Sequence, residues 1–254
     1  MLPDLARRIV TEYSRPGQLV VDPMAGTGTT LVEAALLGRR AIGVELETRW
    51  AALARANADH VLDSGARRLV EVRQGDAVKL AELLGDLSGR VDLVCTSPPY
   101  ACDVGNPNVA RYEQEGRIGR GLALNYSEGR ANLGHARGVA YEEAVAAIYA
   151  ACLTVLRPGG VLAVVTKNTR RKGRTLDLAG LTVAIAEQAG FTYLQHVVAL
   201  HAAVRDGDLV GRPSYWQGIQ VHHARERGEP VHLVVHEDLD MFLAPQIKEA
   251  ARAR

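Results

Sequence analysis

Ser97-Pro98-Pro99-Tyr100 closes an alternating apolar run that begins at Val91. Neither proline has an N–H to donate, so a strand cannot continue through them. A residue that precedes proline is also kept out of the α region, which holds this stretch extended. What remains is a rigid rack that offers acceptors only, a serine hydroxyl and carbonyls, followed by an aromatic ring. Strand termination alone would also account for it.

A second stretch, Val20 to Ala35, places Asp22 at a strand end, then Pro23, Ala25, Gly26, Thr27 and Gly28, with Thr29 and Thr30 opening a helix. Glycines in such a turn let the backbone approach a ligand closely, and open α/β sheets bind ligands beyond the carboxyl ends of their strands. The nicotinamide fingerprint G-x-G-x-x-G needs glycine at position 31, where this chain has Leu31, and no Gly-Lys-Ser/Thr follows to make a P-loop. The acid ahead of the glycines suits a cofactor that carries an amino group better than one that carries a pyrophosphate. Glu45 ends a second strand, where a carboxylate can accept from both ribose hydroxyls of a nucleoside; a helix cap or a solvated acid is the plainer reading. Asp76 ends a third strand and could accept from an adenine amine or cap the next helix.

The elements that must position these residues alternate along the chain. Strands are predicted at 18–22, 40–45, 69–74, 91–97, 160–168, 191–200 and 231–238, and helices at 29–38, 48–60, 77–85, 141–156 and 176–190. Short connections between them imply an α/β fold: a doubly wound, mostly parallel seven-stranded sheet with helices on both faces, Rossmann-like. The reading is of a single domain over 1–254, with irregular insertions at about 101–140 and 205–228 as candidate substrate-recognition segments.

Composition sets the outer limits. The charged residues nearly balance, 30 Lys and Arg against 29 Asp and Glu, so any affinity for nucleic acid must come from a local basic face. Cys95, Cys102 and Cys152 have no CxxC spacing, which suggests neither a disulfide framework nor a zinc knuckle. The opening residues lack the apolar run of a signal peptide and no stretch is long enough to span a bilayer, so a cytoplasmic location and no membrane partner are expected.

Together, Asp22–Thr30 and Ser97–Tyr100 resemble the cofactor loop and the catalytic motif of the S-adenosylmethionine-dependent DNA amino-methyltransferases, which methylate cytosine N4 or adenine N6. The resemblance covers about residues 2–191. It implies S-adenosyl-L-methionine as cofactor, held by Asp22, Pro23, Ala25, Gly26, Thr27, Gly28, Thr29 and Thr30, with Glu45 and Leu46 at the ribose and Asp76 and Ala77 at the adenine. Residues 2–13 resemble the helix that packs over the methionine end. It also implies catalysis by Ser97, Pro98, Pro99 and Tyr100 without a metal. An exocyclic amine is a poor nucleophile because its lone pair is conjugated into the ring. The Ser97 hydroxyl and Pro98 carbonyl can take one N–H each and aim that lone pair, while Tyr100 stacks on a flipped base. Methylation of a cytosine ring carbon would need a Pro-Cys nucleophile, which is absent from the sequence.

In this family serine at the first motif position leans toward cytosine N4. The expected substrate is therefore DNA, with adenine N6, or a base amine of tRNA or rRNA, as alternatives, and a cofactor-binding module without catalysis as a reading from another class. Lys167, Arg170, Arg171, Lys172 and Arg174 form a basic cluster after the fifth strand that could contact phosphates; a solvated loop is the competing reading. Arg111, Arg117, Arg120, Arg130 and Arg137 give a weaker signal because acids are interleaved. Tyr215 and Trp216 could stack on bases or anchor a loop, His135 has no assigned role, and a homodimer stays open.

Overall fold

The computed structural model describes residues 1–99, 133, 136, 138–171, 174–213 and 215–246. Tyr100, Lys172, His135, Cys102 and the five arginines from Arg111 to Arg137 lie outside the described residues, as does most of the 101–140 segment.

Helix α1 (Pro3–Tyr13) opens on a proline and buries Ala6, Ile9 and Val10, which recur at helical spacing. Then come β1 (Leu19–Asp22), α2 (Thr29–Leu36), β2 (Arg40–Glu45), α3 (Thr48–Val61), the single turn α4 (Ser64–Arg67) and β3 (Val70–Gln74). A 3-10 turn (Ala77–Lys79) leads into α5 (Leu80–Leu84) and β4 (Val91–Thr96). Beyond the undescribed stretch lie α6 (Val139–Val155), β5 (Leu156–Thr166), β6 (Thr169–Arg171), β7 (Arg174–Leu176) and α7 (Leu178–Gln188). The chain continues through β8 (Thr192–Leu200), β9 (Ala202–Arg205), β10 (Asp208–Gly211), α8 (Tyr215–Glu226) and β11 (His236–Leu243).

Seven strands form one sheet in the order β3-β2-β1-β4-β5-β11-β8. The neighbours from β3 to β5 pair in parallel, and β11 runs antiparallel to both β5 and β8. The doubly wound, mostly parallel sheet expected from the alternation is therefore present. Strand order reverses at β1, with β2 on one side and β4 on the other, so the loops that leave β1 and β4 emerge side by side. Side chains alternate between two cores. Val21, Val94, Leu162 and Phe242 enter one, against α5, α6 and α7. Val20, Leu93, Cys95, Val165 and Met241 enter the other, against α1 and α2.

Two expectations need correction. The last strand is His236–Leu243 rather than 231–238, because its hydrogen-bonding partners run from Asp238↔Thr166 to Leu243↔Val161. Acids at 237, 238 and 240 mask that strand in the sequence, since carboxylates are seldom central in a sheet. The 205–228 segment is not irregular: it holds most of the β9–β10 hairpin, turning at Asp206-Gly207, and helix α8. The 101–140 segment gives way to α6 at Val139.

Candidate active site

Asp22 is the hub of the first loop. It is 4% exposed, and three donors converge on it: the Thr30 hydroxyl at 2.7 Å, the Thr96 hydroxyl at 2.9 Å and the Met24 N–H at 3.1 Å. Burial raises its pKa above the usual carboxylate range, with the three hydrogen bonds pulling the other way. Thr30 belongs to α2, and Thr96 is the last residue of β4, immediately before Ser97. One buried carboxylate thus joins the glycine loop to the serine-proline rack. The side chain assigned to a ligand by resemblance is occupied in holding the two motifs together.

The backbone between Asp22 and Thr30 is fixed from several sides. The Ala25 N–H donates to the Val44 carbonyl at 3.0 Å, and the Gly28 N–H to the Ala25 carbonyl at 2.8 Å. Asn57 of α3 donates to the Thr27 carbonyl at 2.9 Å. Gly28 has φ +83°, and a Cβ there would lie 3.1 Å from that of Ala54, so α3 packs directly on the loop. Gly26, at φ +51°, has no atom within 4 Å of where its Cβ would project. Of the two glycines in this turn, Gly26 thus faces open space and Gly28 faces α3. Pro23 and Ala25 are buried, Thr27 is exposed, and Thr29 begins α2.

Glu45 is 8% exposed. Its two oxygens accept from Gly26 N–H at 2.8 Å and Glu47 N–H at 3.0 Å, which ties the end of β2 to the glycine loop. Burial raises its pKa, against the pull of those two N–H groups. Each carboxylate oxygen has a further lone pair, so a ligand hydroxyl can still be accepted. Leu46 beside it is half-buried. Asp76 accepts from Val78 N–H at 3.0 Å and caps the turn at Ala77–Lys79, the plainer of its two readings, and Ala77 is buried below it.

Ser97 is half-buried and Pro98 buried, where β4 gives way to coil. The Ser97 hydroxyl has no hydrogen-bond partner among the described residues. The Pro99 carbonyl is occupied: Tyr141 of α6 donates its hydroxyl to it at 3.1 Å. No hydrogen bond reaches the Pro98 carbonyl among the described residues. Cys95 is fully buried, and burial raises its thiol pKa far above the ordinary value, so it is no nucleophile.

Thr96 and Tyr141 escaped the sequence reading. Thr96 was adjacent to the motif but silent, because a threonine at a strand end is ordinary; Tyr141 lies 42 residues from Pro99 and gave no signal. Helix α1 packs on α2. Arg7 pairs with the buried Glu33 of α2 at 2.8 Å, and the buried Arg39 donates to the Ser14 hydroxyl at 3.1 Å and the Ser14 carbonyl at 2.8 Å. In the basic cluster, Lys167 follows β5 and is half-buried, while Arg170, Arg171 and Arg174 lie on the two strands of the β6–β7 hairpin. Tyr215 and Trp216 open α8.

Sheet order and strand-end loops define the Rossmann-like methyltransferase fold. A solved SAM-dependent methyltransferase from Methanosarcina mazei superposes with a TM-score of 0.53 at 12% identity, covering 94% of this chain and 97% of that one. Residues 3–56 match the family model described as DNA methylase, of N6/N4 type. It is 36% identical over 104 residues to the tRNA (guanine(10)-N2)-dimethyltransferase of Methanocaldococcus jannaschii, which is 39% of this chain and 28% of that protein. It is also 50% identical over 44 residues to the Type II methyltransferase M.MthZI of Methanothermobacter thermautotrophicus, 17% of this chain and 12% of that protein. The chain thus matches well under a third of either relative's length. No helix among the described residues is long and apolar enough to cross a membrane.

Proposed function

We propose that the protein methylates an exocyclic amine of a nucleic-acid base with S-adenosyl-L-methionine, and that the base is cytosine N4 of DNA. One observation carries the reading: the buried Asp22 accepts from Thr30 of the cofactor loop and from Thr96 beside Ser97, so cofactor cradle and acceptor rack are built as one unit. The site suits that cofactor. Open space above Gly26 lets a ligand lie against the backbone, spare lone pairs on Glu45 can accept ribose hydroxyls, and Ala77 offers an apolar surface near Asp76. When bound, the cofactor supplies an electrophilic methyl group.

The chain's own residues do the rest. Ser97 and the Pro98 carbonyl each accept one N–H of the target amine, which turns its lone pair out of conjugation with the ring. Tyr141 keeps the rack in place by holding the Pro99 carbonyl. Because these acceptors are fixed before substrate arrives, little reorganisation is left for the transition state. Lys167 and the β6–β7 hairpin carry the phosphate contacts in this reading.

A second substrate, a base amine of tRNA, is favoured by one finding: the longer relative match is to a tRNA guanine-N2 enzyme. Mass spectrometry of nucleosides from DNA and RNA incubated with the protein and labelled cofactor tests both. N4-methylcytosine in DNA supports the first reading and N2-methylguanine in RNA the second. Label in neither overturns the proposal.

A further inference from the structure

Away from the loops after β1 and β4, another group of polar side chains gathers toward the same edge of the sheet. Thr166, the last residue of β5, and Asp238 of β11 are direct partners in an antiparallel pair, so their side chains leave the same face. Thr166 is 2% exposed and Asp238 5%. Among the described residues, neither the Thr166 hydroxyl nor the Asp238 Oδ2 has a hydrogen-bond partner. The other oxygen of Asp238 lies 3.5 Å from His196 Nε2 and 3.6 Å from His236 Nε2, too far for a hydrogen bond. Deeper in, Asp240 takes the Tyr193 hydroxyl at 3.1 Å and stands 3.0 Å from His196 Nδ1, which orients that ring.

Buried polar groups are almost always partnered, because an orphaned one forfeits its hydration without return. An orphaned hydroxyl opposite an orphaned carboxylate oxygen breaks that rule on two adjacent strands at once, and such breaches concentrate where a ligand completes the set. The side chains of His196 and His236, 37% and 33% exposed, give this group an open flank.

We propose that Thr166 and Asp238 form an acceptor site for the N–H edge of the base that flanks the methylated one, guanine being held best. The assignment rests on the nucleic-acid reading above. β5 lies between β4 and β11, so Asp238 stands about two strand spacings, roughly 10 Å, from the strand that presents Ser97. That distance is too great for the target amine and suits a neighbouring nucleotide. An ionised carboxylate only accepts, so the site takes N–H donors and repels phosphate. Guanine alone presents two adjacent N–H donors, on N1 and N2, to match the two oxygens.

The test uses the full chain, short single-stranded oligonucleotides that carry one target base with each of the four bases beside it, and the variants Asp238→Asn and Thr166→Val. Wild type should bind the guanine-flanked oligonucleotides best. Asp238→Asn should weaken their binding by about 10- to 100-fold, the range for a bidentate base contact, and erase the preference. Thr166→Val should weaken it less. Cofactor affinity should not change, and neither variant should lower the melting temperature, since each removes an orphaned polar group. Equal affinity of wild type for all four flanks overturns the inference. So does a lowered melting temperature in both variants with oligonucleotide affinity unchanged, which would make the pair structural. A wild type that binds its cofactor but no oligonucleotide fails differently, because it overturns the nucleic-acid reading itself.

Discussion

Asp22 and Asp238 are carboxylates toward the same edge of one sheet, each about 95% buried, and their surroundings are opposite. Asp22 accepts from two threonine hydroxyls and a backbone N–H. The Oδ2 of Asp238 has no hydrogen-bond partner among the described residues, and the hydroxyl across from it has none either. Around β1 and β2 the pattern of Asp22 is general: Glu45, Glu33 and Arg39 are all buried, and all are held by named partners. Around β5 and β11 acceptors stay open. A site for one unchanging cofactor can complete its own hydrogen bonds and remain rigid. A site that must recognise a partner by polar contacts has to keep some of them free, at a cost in stability.

Ser97→Ala tests the open side most severely. Loss of one preorganised contact to the reacting group should lower turnover by about 10²- to 10³-fold, with cofactor affinity unchanged by calorimetry. Unchanged turnover would leave Pro98 as the whole rack and refute the mechanism. On the closed side, Glu45→Ala removes the acceptor of Gly26 N–H and should weaken cofactor binding by about 1–3 kcal/mol. Affinity at the wild-type level would mean that the loop does not need its tie to β2.

A smaller effect should appear in pH dependence. Burial raises the carboxyl pKa of Asp240 above its ordinary 3.8, despite the opposing pull of His196. The folded state then holds that proton more tightly than the unfolded chain. This contribution to stability is present at low pH and is lost as pH rises from 3.8 through the folded value. Asp240→Asn cannot titrate, so its melting temperature should gain on wild type across that window. A constant difference would show that the group is not strained by burial. Least of all, EDTA should leave the methylation rate where it is, because transfer of a methyl group from a sulfonium needs no Lewis acid. Inhibition reversed by a divalent cation would contradict this.

Much of the half around β1 and β2 was legible in the sequence because local rules govern it. Strand β2 was predicted residue for residue at Arg40–Glu45, and the start of α2 at Thr29, since alternation and a glycine turn leave few other structures. The last strand was placed too early. Its three acids argued against a central strand, and only pairing on both sides with β5 and β8 makes their burial possible. Hairpin β9–β10 has the Asp-Gly turn that should have announced it.

By itself the sequence determined the main alternation of strands and helices from β1 to β4, the two motifs at the ends of β1 and β4, and the acceptor-only chemistry of Ser97-Pro98-Pro99. These depend on backbone preferences and on which atoms a residue carries. Tertiary structure alone decided that Thr96 would bond to Asp22 across 74 residues, that Tyr141 would occupy the Pro99 carbonyl and leave that of Pro98, and that Asp238 would face Thr166. Each is a pairing between distant segments, fixed by the side-by-side order of strands and by α6 packing back toward the rack, and a linear pattern has no term for neighbours of that kind.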